Sequence, residues 1–89
     1  MNSVTIYTTD YCSYCRAAKA LLGLSGILYQ EIDVSRDAAQ RAWLLERTGR
    51  RTIPQIFVGE DSIGGFDELV ALKQSGELRR RLDAMKHAV

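Results

Sequence analysis

An apolar run, a helical stretch and a second apolar run succeed one another at the start of the chain, and this order restricts the fold more than any other feature. Val4-Thr5-Ile6-Tyr7 reads as a strand, Thr8-Thr9-Asp10-Tyr11 breaks it, and a helix begins in Cys12-Ser13-Tyr14-Cys15. Ala18, Leu21, Leu22 and Ser25 share one face of that helix, which ends near Gly26, and residues 27–34 read as a second strand. Strand, helix and strand in this order imply a right-handed crossover and a parallel pair.

The remaining sequence continues the alternation. Ser35 with Asp37 predicts a cap and an acidic first turn for a second helix, whose apolar side is Ala39, Ala42, Trp43 and Leu45 and whose end is Thr48-Gly49. Gln55-Ile56-Phe57-Val58 is a third strand, Gly59-Glu60-Asp61 a turn, and Ser62-Ile63-Gly64 a short fourth strand, together a hairpin. A third helix from Phe66 to Gly76 carries Phe66, Leu69, Val70 and Lys73 on one face. Leu78, Leu82 and Met85 space out a last amphipathic helix. The hairpin must join the parallel pair antiparallel, so the expected α/β fold is a four-stranded mixed sheet with helices on both faces. At 89 residues this is one domain, 1–89.

Composition narrows the function classes. A net charge of +1 with 26% charged residues gives no strongly basic face, so nucleic acid is not an expected partner. The apolar runs fall far short of a membrane span, and the opening residues show neither the charged nor the apolar segment of an export signal. A reducing, cytoplasmic compartment is the expectation. In such a compartment a closely spaced cysteine pair points to redox or metal chemistry before a structural staple. A closed zinc site needs four ligands, and the chain offers Cys12, Cys15 and His87 near its end. A disulfide closing so short a loop removes little chain entropy.

The redox reading follows from position. A sulfur at the first turn of a helix faces unpaired backbone N–H groups and the positive end of the peptide dipoles, which favour thiolate. Cys12 is therefore expected to ionise readily and attack, and Cys15, one turn further in, to be more buried and to resolve.

Two further segments carry chemistry. Thr52-Ile53-Pro54 holds the only proline, just ahead of a strand. By itself it is a strand-entry proline; with a cis Ile53–Pro54 bond, the Ile53 backbone would offer its N–H and C=O to a passing peptide. Gly64-Gly65-Phe66-Asp67 marks a strand end and a helix start. There the free N–H groups of Phe66 and Asp67 suit a carboxylate, and Asp67, expected also to cap the helix, suits an ammonium group. Read alone, this segment is also an ordinary turn and cap. Tyr7, Tyr29 and Trp43 are expected to pack, Arg79-Arg80-Arg81 to form a solvated face, and Tyr11 and Tyr14 to rim the site.

Cys12-Ser13-Tyr14-Cys15, Thr52-Ile53-Pro54 and Gly64-Gly65-Phe66-Asp67, in this order and spacing, resemble a dithiol glutaredoxin, and the likeness runs over residues 3–85. The resemblance implies a thioredoxin-like fold with glutathione in a groove between the three segments. It implies Cys12 as nucleophile, Cys15 as resolving thiol, and Tyr14 beside the tripeptide. The Ile53 backbone would pair with the cysteinyl unit next to a cis Pro54, and Gly65, Phe66 and Asp67 would hold the γ-glutamyl end. Thr52 and the Arg50-Arg51 pair fall where the family often binds the glycyl carboxylate; Arg51 is counted among the candidate site residues, and the sequence does not choose which of the two arginines points inward. Serine stands at position 13, where the family's commonest motif has proline, and threonine at position 9, where many relatives carry lysine.

The resemblance implies a monomeric, glutathione-dependent thiol–disulfide oxidoreductase acting on glutathionylated and disulfide-bonded proteins. It also allows an alternative, a dimer holding one [2Fe-2S] cluster through Cys12 of each copy and two glutathiones. A thioredoxin-type electron donor served by a flavoprotein reductase is the remaining reading; the Gly65-Phe66-Asp67 carboxylate site argues for glutathione.

Overall fold

Alternation of side chains along the first strand, β1 (Val4–Thr8), sends Val4 and Ile6 to one face of the sheet and Tyr7 to the other. The structure, a computed structural model, describes residues 3–86, so His87 lies outside the described residues. After β1 come α1 (Ser13–Leu24), β2 (Tyr29–Asp33), α2 (Ala38–Thr48), β3 (Gln55–Val58), β4 (Asp61–Gly64), α3 (Phe66–Ser75) and α4 (Glu77–Lys86). The strands stand in the order β2-β1-β3-β4. β1 and β2 are parallel, Val4 opposite Tyr29, while β3 runs antiparallel to both β1 and β4.

Two apolar layers sandwich this sheet. On one side Val4, Ile6, Ile56 and Val58 meet Ala18 and Leu22 of α1, Leu69 of α3, and Leu78 and Leu82 of α4. On the other, Tyr7 and Phe57 meet Val34 and Leu44, the buried residue of α2. Each fully buried aliphatic side chain here contributes roughly 1.5–3 kcal/mol. The expected thioredoxin-like mixed sheet with helices on both faces is what the chain forms. Among the described residues no helix is long and apolar enough to cross a membrane.

The differences from expectation are local and have causes. The second strand starts at Tyr29 instead of residue 27, because the end of α1 is closed by Ile27 N–H on Leu22 O (2.9 Å) and Gly26 N–H on Gly23 O (3.1 Å). That is a Schellman closure around Gly26 at φ +69°. Asp37, not Ser35, caps α2: its Oδ1 accepts the Gln40 N–H at 2.9 Å, and no acidic residue follows in the first turn. Ser35 is engaged elsewhere, accepting the Asp10 N–H at 2.7 Å. The apolar side of α2 is also different. Leu44 points inward, Ala39 and Ala42 are exposed, and Trp43 lies half out over Tyr7 and Phe57 with ring centroids 5.9 and 6.0 Å away. Six apolar residues within eight positions of α2 mark more than one face, so pattern alone does not choose. Asp61, expected in the turn, already belongs to β4.

One polar group beneath α1 makes stability depend on pH. The buried Thr8 hydroxyl donates to Glu31 Oε2 at 2.7 Å, and Lys19 Nζ lies 3.0 Å from the same oxygen. Burial pushes the Glu31 carboxyl up, but the Thr8 and Lys19 bonds outweigh it and hold the group below its ordinary range. A depressed folded pKa means stabilisation that is complete above the unfolded value and disappears as pH falls through the folded one. Glu31→Gln should therefore be less stable than wild type at neutral pH. The gap should close as pH falls below about 4.3, the unperturbed carboxyl value, in denaturant titrations across that range.

Candidate active site

The topology brings three distant segments to one end of the sheet. β1 delivers the chain to Cys12 at its C-terminal end; β3, antiparallel beside it, begins at that same end, just after Ile53-Pro54. β4 then returns antiparallel to β3, so Gly64-Gly65 finishes next to where β3 started.

Cys12 is the N-cap of α1, in extended backbone geometry, and its Sγ accepts the Cys15 N–H at 3.1 Å. One of the donors left free at the helix start is thus aimed at the sulfur. Cys15 is buried, 2% exposed, whereas Cys12 is half-buried. The two sulfurs are joined in a disulfide, with Cα atoms 5.2 Å apart. This is the oxidised end of the cycle a dithiol pair can run. On its other side Cys12 Sγ lies 3.9 Å from the Ile53 carbonyl oxygen, and the Ile53–Pro54 bond is cis.

Ile53 also lines a groove of about 280 Å³ that reaches the start of α3. Tyr14, Thr52, Ile53, Pro54, Gly65, Phe66 and Asp67 line it, together with Arg50 and Glu68. Tyr14 and Phe66 pack together along its wall with ring centroids 6.0 Å apart. Gly65 closes the wall at a point where a Cβ would stand 3.3 Å from the Pro54 carbonyl oxygen, so two backbones come together there. Leu69 is the first α3 residue to bond back into the helix, to Gly65 O at 3.0 Å, leaving the Phe66 and Asp67 N–H groups ahead of it.

Arg51 does not line this groove. It lines a neighbouring cavity of about 310 Å³ with Arg41 and the apolar Ala42, Leu44 and Leu45; Arg50 and Ile53 border both spaces. Three arginines and no carboxylate line that second cavity. Arg41 is anchored by Nη1 on the carbonyls of Val34 (2.6 Å) and Ser35 (2.9 Å).

Asp67 does not cap α3, because Gly65 occupies the N-cap and Asp67 lies inside the helix. Glu68 does that work from the third helical position, its Oε1 accepting the Gly65 N–H at 2.8 Å and the Arg50 guanidinium at 3.3 Å. These bonds, the Gly65 N–H foremost, hold its carboxyl below the usual range despite partial burial. Glu68 is legible in sequence as the reaching-back half of a capping box. Gln55, nearly fully buried, fixes the arginine loop by donating from Nε2 to Arg50 O at 2.8 Å; no motif announces it. Among the described residues no three His, Cys, Asp or Glu side chains gather into a metal-binding group.

Known proteins resemble this chain in sequence and in fold. A family model described as Glutaredoxin matches residues 4–63. Glutaredoxin 3 of Escherichia coli K12 is 46% identical over 78 residues, covering 88% of this chain and 94% of that protein. A glutaredoxin of Pseudomonas aeruginosa is 44% identical over 84 residues, 94% of this chain and the whole of that one. Among solved structures, the buckwheat glutaredoxin–glutathione complex superposes with a TM-score of 0.86 at 34% identity, covering 93% of this chain and 78% of that one.

Proposed function

This chain belongs to the glutaredoxin family, and on that premise we propose that it reduces glutathione mixed disulfides and protein disulfides with glutathione as electron donor. The observation that carries the reading is the groove itself: Ile53, whose carbonyl oxygen lies 3.9 Å from the Cys12 sulfur, lines it together with Arg50 and with Phe66 and Asp67, whose N–H groups stand at the start of α3. A relative has been solved as a glutathione complex. A γ-linked tripeptide offers the matching groups. Its γ-glutamyl carboxylate suits the Phe66 and Asp67 N–H groups, and its ammonium suits the Asp67 carboxylate. Its cysteinyl backbone suits Ile53. Its glycyl carboxylate suits Thr52 and Arg50, with Arg51 and Arg41 within the adjoining cavity.

The chemistry is thiol–disulfide exchange. Cys12 thiolate attacks the glutathionyl sulfur of protein–S–S–glutathione; a Cys12–glutathione disulfide forms and the protein leaves as thiolate, which takes up a proton. A second glutathione thiolate then attacks the glutathionyl sulfur, releasing oxidised glutathione and restoring Cys12 thiolate. Alternatively Cys15, after losing its proton, attacks Cys12 Sγ, expels glutathione and closes the Cys12–Cys15 disulfide, which two further glutathiones reduce. The Cys15 N–H on Cys12 Sγ favours the thiolate as both attacking and leaving group, and the groove holds the sulfurs in line. The reaction belongs in a reducing compartment.

The test is a glutathione-coupled assay on the mixed disulfide of glutathione and cysteine. Arg50→Ala and Arg51→Ala should each raise KM for that substrate, by up to about tenfold for a charge-assisted hydrogen bond, with kcat little changed. Arg50→Ala should show the larger effect, since Arg50 borders the groove. The half-buried Cys12, with exposed Ser13 and Tyr14 beside it, is also the sulfur that would serve the [2Fe-2S] alternative in a dimer. A visible absorption spectrum after anaerobic purification with glutathione separates the two readings.

A further inference from the structure

Tyr11 is the one residue other than glycine that takes a positive φ among the described residues, at +56°. An aromatic residue in the left-handed region is an outlier, costing about 1–3 kcal/mol. Its side chain is 100% exposed, so no internal packing offsets that strain. Nor is the segment slack. The preceding Asp10 N–H is held by Ser35 Oγ at 2.7 Å, the Ser35 N–H by Asp33 Oδ1 at 2.8 Å, and the next residue is the cap of α1. The chain thus fixes a tyrosine in a strained conformation and offers its ring to solvent, one residue before the sulfur that reacts.

We propose that Tyr11 is a docking residue for protein substrates, contacting the polypeptide that flanks the substrate's reacting cysteine. The inference rests on the thiol–disulfide reading of Cys12 and adds to it a residue that recognises the protein part of the substrate. A protein sulfur exchanging at Cys12 comes within two S–S bond lengths, roughly 4 Å, of Cys12 Sγ. The Tyr11 Cα is about 3.8 Å from the Cys12 Cα and its ring is fully exposed, so this position borders the space that the substrate's own chain enters. A small mixed disulfide has no such chain, and Tyr11 is not among the residues lining the groove that would hold its glutathionyl part. Tyr14, on the other flank, does line that groove and packs on Phe66. The two tyrosines therefore divide the work, one facing the tripeptide and one facing the protein. A tyrosine suits varied polypeptides, because its flat ring covers apolar area at low entropic cost and its hydroxyl stays wet.

The experiment compares kcat/KM on two substrates, serum albumin glutathionylated at its free cysteine and the mixed disulfide of glutathione with cysteine. Wild type, Tyr11→Ala, Tyr11→Gly and Tyr11→Phe are assayed on both. Removing the ring in the alanine and glycine variants should lower the value on the protein substrate about tenfold, the scale of a well-placed aromatic contact, mainly through KM. The small substrate should be turned over as by wild type, and Tyr11→Phe should stay within about twofold of wild type on both. Glycine adopts positive φ freely, so its loss alongside alanine assigns the effect to the ring and not to the backbone. The proposal is overturned if alanine and glycine variants match wild type on the protein, or lose activity equally on both substrates. Wild type inactive on the small disulfide would instead overturn the reading of the groove, and this inference with it.

Discussion

Cys12→Ser should abolish turnover on every disulfide substrate, a loss of at least ~10⁴-fold, while Cys15→Ser goes on reducing glutathione mixed disulfides. The asymmetry is written in the burial of the two sulfurs. Cys12 stands half-buried, 3.9 Å from the carbonyl of the groove residue Ile53, whereas Cys15 is 2% exposed and out of reach of an external disulfide. Serine at position 12 presents an un-ionised hydroxyl that cannot form the mixed disulfide. Serine at position 15 keeps the backbone N–H that bonds Cys12 Sγ, so the attacking sulfur keeps its support. Reduction of protein disulfides that need the resolving thiol should fall in Cys15→Ser. Steady-state assays of both variants on both substrate types check this, and equal loss in the two variants would contradict the division of roles.

Gly64→Ala should damage fold and groove together. Gly64 has φ +105° and is buried, and a Cβ there would run into the Glu68 carboxyl. The backbone penalty alone is about 1–3 kcal/mol, and the displaced carboxylate would release the Gly65 N–H at the start of α3 and the Arg50 guanidinium across the groove. In a domain of this size each kcal/mol lowers Tm by roughly 4–8 °C, so thermal unfolding should shift by roughly 10 °C or more. At temperatures where the variant is folded, KM for the small mixed disulfide should rise, because the Phe66-Asp67 turn and Arg50 lose their common anchor. A variant with wild-type Tm and KM would show that Glu68 is not that anchor.

Much of this was legible in the sequence, for physical reasons that also explain the rest. The strand–helix–strand opening and the hairpin are short-range patterns, and period-two and helical spacings declare themselves within a few residues. The parallel pair, the antiparallel hairpin and the placement of Cys12 at the start of α1 follow from them. Gly49 and Gly76 end α2 and α3 in the left-handed conformation, as their positions announce. What was not legible depends on which of several adjacent candidates turns inward. Leu44 against its apolar neighbours, and Asp37 against Ser35 as cap, were each settled by contacts made far along the chain. The same holds at the site. Of the consecutive arginines at 50 and 51 only Arg50 borders the groove, because Gln55 fixes its carbonyl and Glu68 takes its guanidinium. Neither partner lies close enough in sequence to be seen as one.

Both segments that meet at the sulfur are carried by the two interior strands, β1 and β3, each flanked by neighbours on either side. Interior ladders are the last to exchange their amide protons, since opening them means opening the whole sheet. Because the cradle beside the sulfur is carried by interior strands, it is expected to hold its shape whether Cys12 and Cys15 are joined or reduced.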